Sequence, residues 1–165
     1  MVVRQAIAET REYQEISKVY GDRRAGRSQE LLIKHIDDGL QIMIRLNASL
    51  DALKAFCIHP LFQADQELAV YAPMASAFQA EVMMLVMEYR RAANAYLCKP
   101  HTDAWDMADL ALYVGWILPE VRKMLMADKL QNQVDFLMHH ADTHQRRAEL
   151  KRYFELWIKY LNEMK

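Results

Sequence analysis

Apolar residues recur along most of this chain at spacings of three and four, the pattern of helices that each bury one face. Val3, Ile7, Tyr13, Ile16, Val19 and Tyr20 fall near one such face between charges, which predicts a first helix stopped by Gly21. A second is predicted from about Gln29 to Leu46, with Leu32, Ile33, Ile36, Leu40, Met43 and Ile44 inward and Ser28 as N-cap. Ser49 can cap a short helix reaching Ile58. The pair His59-Pro60 then predicts a break, because the residue before a proline avoids helical geometry. A further short helix over 61–70 ends before Pro73.

The longest predicted helix covers 76–97, marked by Phe78, Val82, Leu85, Val86, Tyr89, Ala93 and Tyr96, and Lys99-Pro100 stops it. Thr102 and Asp103 cap the next through Val114. Pro119 suits the first turn of a helix over 120–140. Thr143 caps a last one through Leu161, whose buried stripe is Tyr153, Phe154, Trp157, Ile158 and Leu161. The methionine-rich segment EVMMLVMEY reads as core filling rather than as a binding surface. With no alternating strand pattern, repeat or low-complexity stretch, the chain is predicted to be all-α, a single compact domain of about seven to eight helices.

Composition narrows the function classes more than the fold. The 165 residues, 53% of them hydrophobic, suffice for one sizeable core. A net charge of −1 offers no general basic field, which argues against nucleic acid as a partner while leaving room for a locally basic pocket. Cys57 and Cys98 both end apolar runs and read as buried thiols in a reducing compartment. The charged N-terminal stretch lacks a signal-peptide core, and no run of about 18 apolar residues exists, so a cytoplasmic protein away from membranes is expected.

Candidate chemistry centres on His35, His59 and Asp128. Two imidazoles and a carboxylate can bind a divalent metal if the fold brings them together, although each alone is ordinarily a structural side chain. Arg23, Arg24 and Arg27 lie in a glycine-containing loop. They suit either a solvated surface or a clamp for phosphate, which the planar guanidinium grips with paired donors. His139 and His140 point about 100° apart on a helix and read as surface residues. No glycine-rich phosphate loop, zinc-type cysteine pair or serine elbow is present.

The order RSQELLIKHI, then AFCIHPLFQAD, then MLMADKLQN resembles the HD-domain metal-dependent phosphohydrolases. Within them it is most similar to the RelA/SpoT hydrolase domain and its small stand-alone relatives. That family places a basic residue and Ser-Gly before the helix of its first metal histidine, then a His-Asp pair, a Glu-Asp pair and a later Ala-Asp-Arg-Leu-x-Asn. The resemblance, over roughly 20–132, implies a helical HD-like domain with His35, His59 and Asp128 on a divalent metal, Mn²⁺ by preference. It implies base contacts from Arg27 and Asn132, with Arg23, Arg24 and Lys129 available to phosphate. The substrate class would be a purine nucleotide or a guanosine pyrophosphate-like molecule, and a homo-oligomer is compatible with the family.

The departures bear on catalysis. Pro60 stands where the family has its paired Asp, and Gln63-Ala64 where it has Glu-Asp. Proline cannot ligate, and Gln63 can orient a water without taking its proton. Asp65, one place further on, is the substitute base, with Asp38, one turn beyond His35, as another. Enzyme status therefore stays open among three readings: a phosphohydrolase, a catalytically silent nucleotide sensor or sponge, and a helical interaction module.

Overall fold

The structure is a computed structural model describing residues 2–26, 28–98 and 105–164, and all of its regular elements are helical. Where the sequence predicts one N-terminal helix there are two, α1 (Val2–Ala8) and α2 (Arg11–Tyr20). Thr10 divides them: its hydroxyl donates to Ile7 O at 2.7 Å and accepts from Tyr13 N at 3.3 Å, closing one helix and capping the next. Gly21, at φ 48°, ends α2 as predicted. The segment that follows doubles back on itself through an antiparallel bridge between Arg24 and Leu31, with Gln29 at φ 59°. That turn explains why α3 (Ile33–Arg45) begins four residues later than predicted. Ser28 does not cap it; the Ser28 hydroxyl accepts from Glu30 N within the turn.

Ser49 does cap α4 (Leu50–Gln63), accepting from Ala52 N at 3.2 Å. The predicted break at His59-Pro60 is absent. The helix continues through Pro60, and the chain leaves it at Ala64, where the backbone is extended. Burial supplies the reason: Ala52, Phe56, Ile58, Leu61 and Phe62 are all enclosed, so packing outweighs the proline's local preference. α4 packs against α2, α3, α5, α6 and α8 and is the hub of the molecule.

The chain continues with α5 (Asp65–Tyr71), a 3-10 turn over Ala72–Ala77 that contains Pro73, and α6 (Ala80–Ala95). On α6, Val82, Leu85, Val86 and Tyr89 face inward, whereas Met84 and Met87 are exposed, so the methionine-rich segment is only partly core. The predicted signals at Lys99, Pro100, Thr102 and Asp103 lie outside the described residues. Among the described ones, Asp106 and Asp109 form a reciprocal capping box for α7 (Met107–Val114). α8 (Pro119–His139) opens on Pro119 as predicted, and α9 (Arg147–Glu163) begins after Thr143, which does not cap it. Tyr153, Phe154, Trp157 and Leu161 are buried and Ile158 is half-buried, joining a continuous core with α4, α6 and α8. Cys57 is buried as expected, but Cys98 is only half-buried, and both are free thiols. Among the described residues, no helix is long and apolar enough to cross a membrane.

Candidate metal centre

Helices α3 and α8 pack against each other and both against α4, so one residue from each can meet at their junction. His35, His59 and Asp128 do. Their nearest candidate ligand atoms lie within 4.8 Å of one another, with His35 Nε2 3.5 Å and His59 Nε2 4.0 Å from Asp128 Oδ1. His59 and Asp128 are buried and His35 is half-buried.

Both imidazoles have their other nitrogen committed. His59 Nδ1–H donates to Phe56 O at 2.7 Å, and His35 Nδ1–H donates to Gln131 Oε1. A carbonyl oxygen only accepts, so each bond places a proton on Nδ1 and turns Nε2 toward Asp128, the orientation that outer hydrogen bonds impose on metal-binding histidines. Burial lowers the His59 pKa to about 4, because desolvating an imidazolium costs more than the attraction of Asp128 returns. His59 is thus neutral near pH 7, as a ligand must be.

Asp128 is held from two sides. Its Oδ1 accepts from Asn132 Nδ2 at 2.8 Å, and its Oδ2 pairs with Lys129 Nζ at 2.9 Å. Burial alone would raise the pKa of this carboxyl, but Lys129, His35 and His59 hold it well below the usual carboxylate range. Lys129 is itself buried, its ammonium 5.4 Å from the Tyr153 ring and 5.5 Å from that of Trp157. Burial opposes its charge, yet Asp128 keeps its pKa above the ordinary lysine value. Beside this pair the buried Tyr89 hydroxyl faces Asp128, which together with burial holds its pKa well above the ordinary tyrosine value, and the Tyr89 ring lies 4.6 Å from His59. The donor set and the Nε2 atoms turned toward Asp128 fit a divalent ion.

The cluster forms the floor of a cavity of about 600 Å³, walled by α3, α8 and the end of α4 and rimmed by Ser28 and Glu30. Of the other predicted site residues, Gln63 and Asn132 line this cavity, as does Asp38, which is ion-paired with Lys34. Asp65 does not: it is exposed past the end of α4 and paired with Arg90. Arg23 borders not the cavity but an adjoining groove with Tyr71, and Arg24 donates to Gln29 O at 2.7 Å within its own turn. Lys129 points down into the core rather than up to the cavity. Arg27 lies outside the described residues. His139 and His140 address separate oxygens of Asp135, at 3.9 and 3.6 Å, and His139 reaches the cavity rim.

Sequence reasoning missed Gln131 and Tyr89. Neither has a motif signal, since each matters only through a partner more than 25 residues away. No protein-family model, curated protein or solved structure matches this chain.

Proposed function

We propose that the chain is an HD-type, divalent-metal-dependent nucleotide phosphohydrolase, acting on a purine nucleotide or a guanosine pyrophosphate-like substrate. The observation that carries this reading is the convergence of His35, His59 and Asp128 at the floor of a cavity large enough for a nucleotide. Three protein ligands with coordination positions left over is the composition of catalytic rather than structural sites. A divalent ion there, Mn²⁺ by preference, supplies a Lewis acid for a phosphoryl oxygen and acidifies water.

The chain's own groups do the rest. His59 presents a neutral nitrogen, and Lys129 keeps Asp128 ionised in a buried place. Gln131 and Asn132 each spend one amide atom on the triad and keep the other for a ligand in the cavity. Gln63 can orient water there by hydrogen bonding. Proton removal would fall to a carboxylate that lines the cavity such as Asp38, since Asp65 lies outside it.

A second reading is a nucleotide-binding sensor without turnover, favoured by Pro60 in the place of a fourth ligand and by the remoteness of Asp65. Elemental analysis of protein purified without chelator, a thermal-shift screen of nucleotides with and without Mn²⁺, and a phosphate-release assay separate the two. Metal near one equivalent, Mn²⁺-dependent nucleotide stabilisation and released phosphate are expected. At a hundredfold excess over Kd, binding contributes about 2.7 kcal/mol, a Tm rise of about 5–10 °C. Stabilisation without phosphate leaves the sensor, and loss of metal and nucleotide effects alike rejects both.

A further inference from the structure

In an α-helix the carbonyl of residue 56 accepts from the amide of residue 60. Residue 60 of this chain is proline, which has no amide hydrogen and whose ring crowds that same carbonyl. The Phe56 oxygen therefore lacks the amide donor four residues on. His59 Nδ1, one residue before the proline, fills the gap at 2.7 Å. We propose that Pro60 is a positioning residue for the metal centre: by vacating the Phe56 carbonyl inside α4, it holds His59 in the Nδ1–H tautomer with Nε2 bare. The inference deepens the metal-site reading given above and rests on it for its purpose, though not for its geometry.

The alternative tautomer shows what the device prevents. A proton on Nε2 would face Asp128 Oδ1, 4.0 Å away, and a modest side-chain rotation would join them in a hydrogen bond. That bond would consume one nitrogen ligand and one carboxylate oxygen at once, closing the site on itself. Burial removes water as an alternative partner for Nδ1, because His59 is 2% exposed and its neighbours Phe56 and Tyr89 are fully enclosed. Within this enclosure the Phe56 oxygen is the acceptor that the structure gives Nδ1, and a backbone amide at position 60 would compete for it. His59 and Pro60 thus act as a unit: a histidine whose own helix supplies the carbonyl that orients it, three residues back, because the next residue cannot claim that carbonyl. Position 60 also lines the cavity, so the same residue adds no competing polar group beside the cluster.

The test is Pro60→Ala, read in three ways. In metal-free wild-type protein, long-range ¹⁵N–¹H spectra of labelled histidine should show His59 as the Nδ1–H tautomer alone. In the variant, the Nε2–H form should become populated and Mn²⁺ affinity by calorimetry should fall about tenfold or more, the range seen when a histidine's orienting partner is lost. Thermal stability should rise, because an interior proline has been removed. A purely structural proline would move only the last of these, so a higher Tm with unchanged tautomer and unchanged affinity overturns the proposal. An Nε2–H tautomer in the wild type overturns it without any variant. Should the wild type bind no Mn²⁺ while Pro60→Ala still switches the tautomer, the positioning role stands and the phosphohydrolase reading falls.

Discussion

A neutral buried imidazole and a buried ion pair set opposite demands on single residues at the site. His59 has a pKa of about 4 in the folded protein against a usual 6.5, so between these values the unfolded chain holds a proton that the folded chain does not. Stability therefore falls as pH drops through that window, by about 3 kcal/mol if His59 acts alone. Asp128, also depressed, adds its share only below about pH 4. Urea midpoints of chelator-treated protein from pH 7 to 4 check this, and a flat profile would contradict it. Lys129→Met leaves Asp128 buried without its cation, which costs about 3–5 kcal/mol and lowers Tm by about 10 °C. Because a divalent ion can replace the missing charge, Mn²⁺ should restore a larger part of the Tm in this variant than it adds to the wild type. Candidate ligand types were legible at this scale: His35, His59 and Asp128 stand out in the sequence by their chemistry. Their partners were not, since a glutamine, a tyrosine and a main-chain carbonyl acquire roles only when α3, α4 and α8 meet.

Helices were legible wherever one face is apolar and a capping residue marks the end, as at Ser49, Gly21 and Pro119. Boundaries failed where a tertiary contact overrode a local signal. Pro60 reads as a stop but sits within a helix whose apolar residues are held on all sides, and Gln29 reads as helical but turns to bridge Arg24 with Leu31. Glycine shows the same conflict. Gly39 lies within α3 against the ring of Phe56, and a Cβ there would overlap the ring. In an exposed helix, Gly→Ala stabilises by about 1 kcal/mol. Here overpacking a residue that cannot move costs about 1–3 kcal/mol, so Gly39→Ala should be neutral to destabilising by about 2 kcal/mol. Chemical denaturation gives the sign, and clear stabilisation would mean that α3 and α4 can part at no cost.

Over the whole molecule charge is nearly balanced, whereas the lining of the cavity is mildly acidic. Its lining cations among the described residues are Lys34 and Arg45, set against Glu30, Asp38, Asp128 and Asp135. Lys129 cancels Asp128 from below, which leaves a net of about one negative charge. A divalent ion would leave only a small positive excess, enough for one phosphate group and too little for several. Of the two proposed substrate classes this favours the nucleotide with one phosphate group over the pyrophosphate-like one, so a nucleoside 5′-monophosphate should bind the Mn²⁺-loaded protein more tightly than the 3′,5′-bisphosphate of the same nucleoside. Calorimetry measures the ratio, and tighter binding of the bisphosphate would show that cations outside this lining close over the ligand.

The enclosure of α4 has a consequence in time as well as in space. A helix packed against five others can exchange its amide hydrogens only when the entire fold opens, whereas the described rim residues 22–26 and 28–32 hang on few buried contacts. Amides of 56–62 should be among the slowest to exchange and those of the rim among the fastest. The floor of the site would then persist for the lifetime of the folded molecule, while entry and exit follow the much quicker clock of the loop above it.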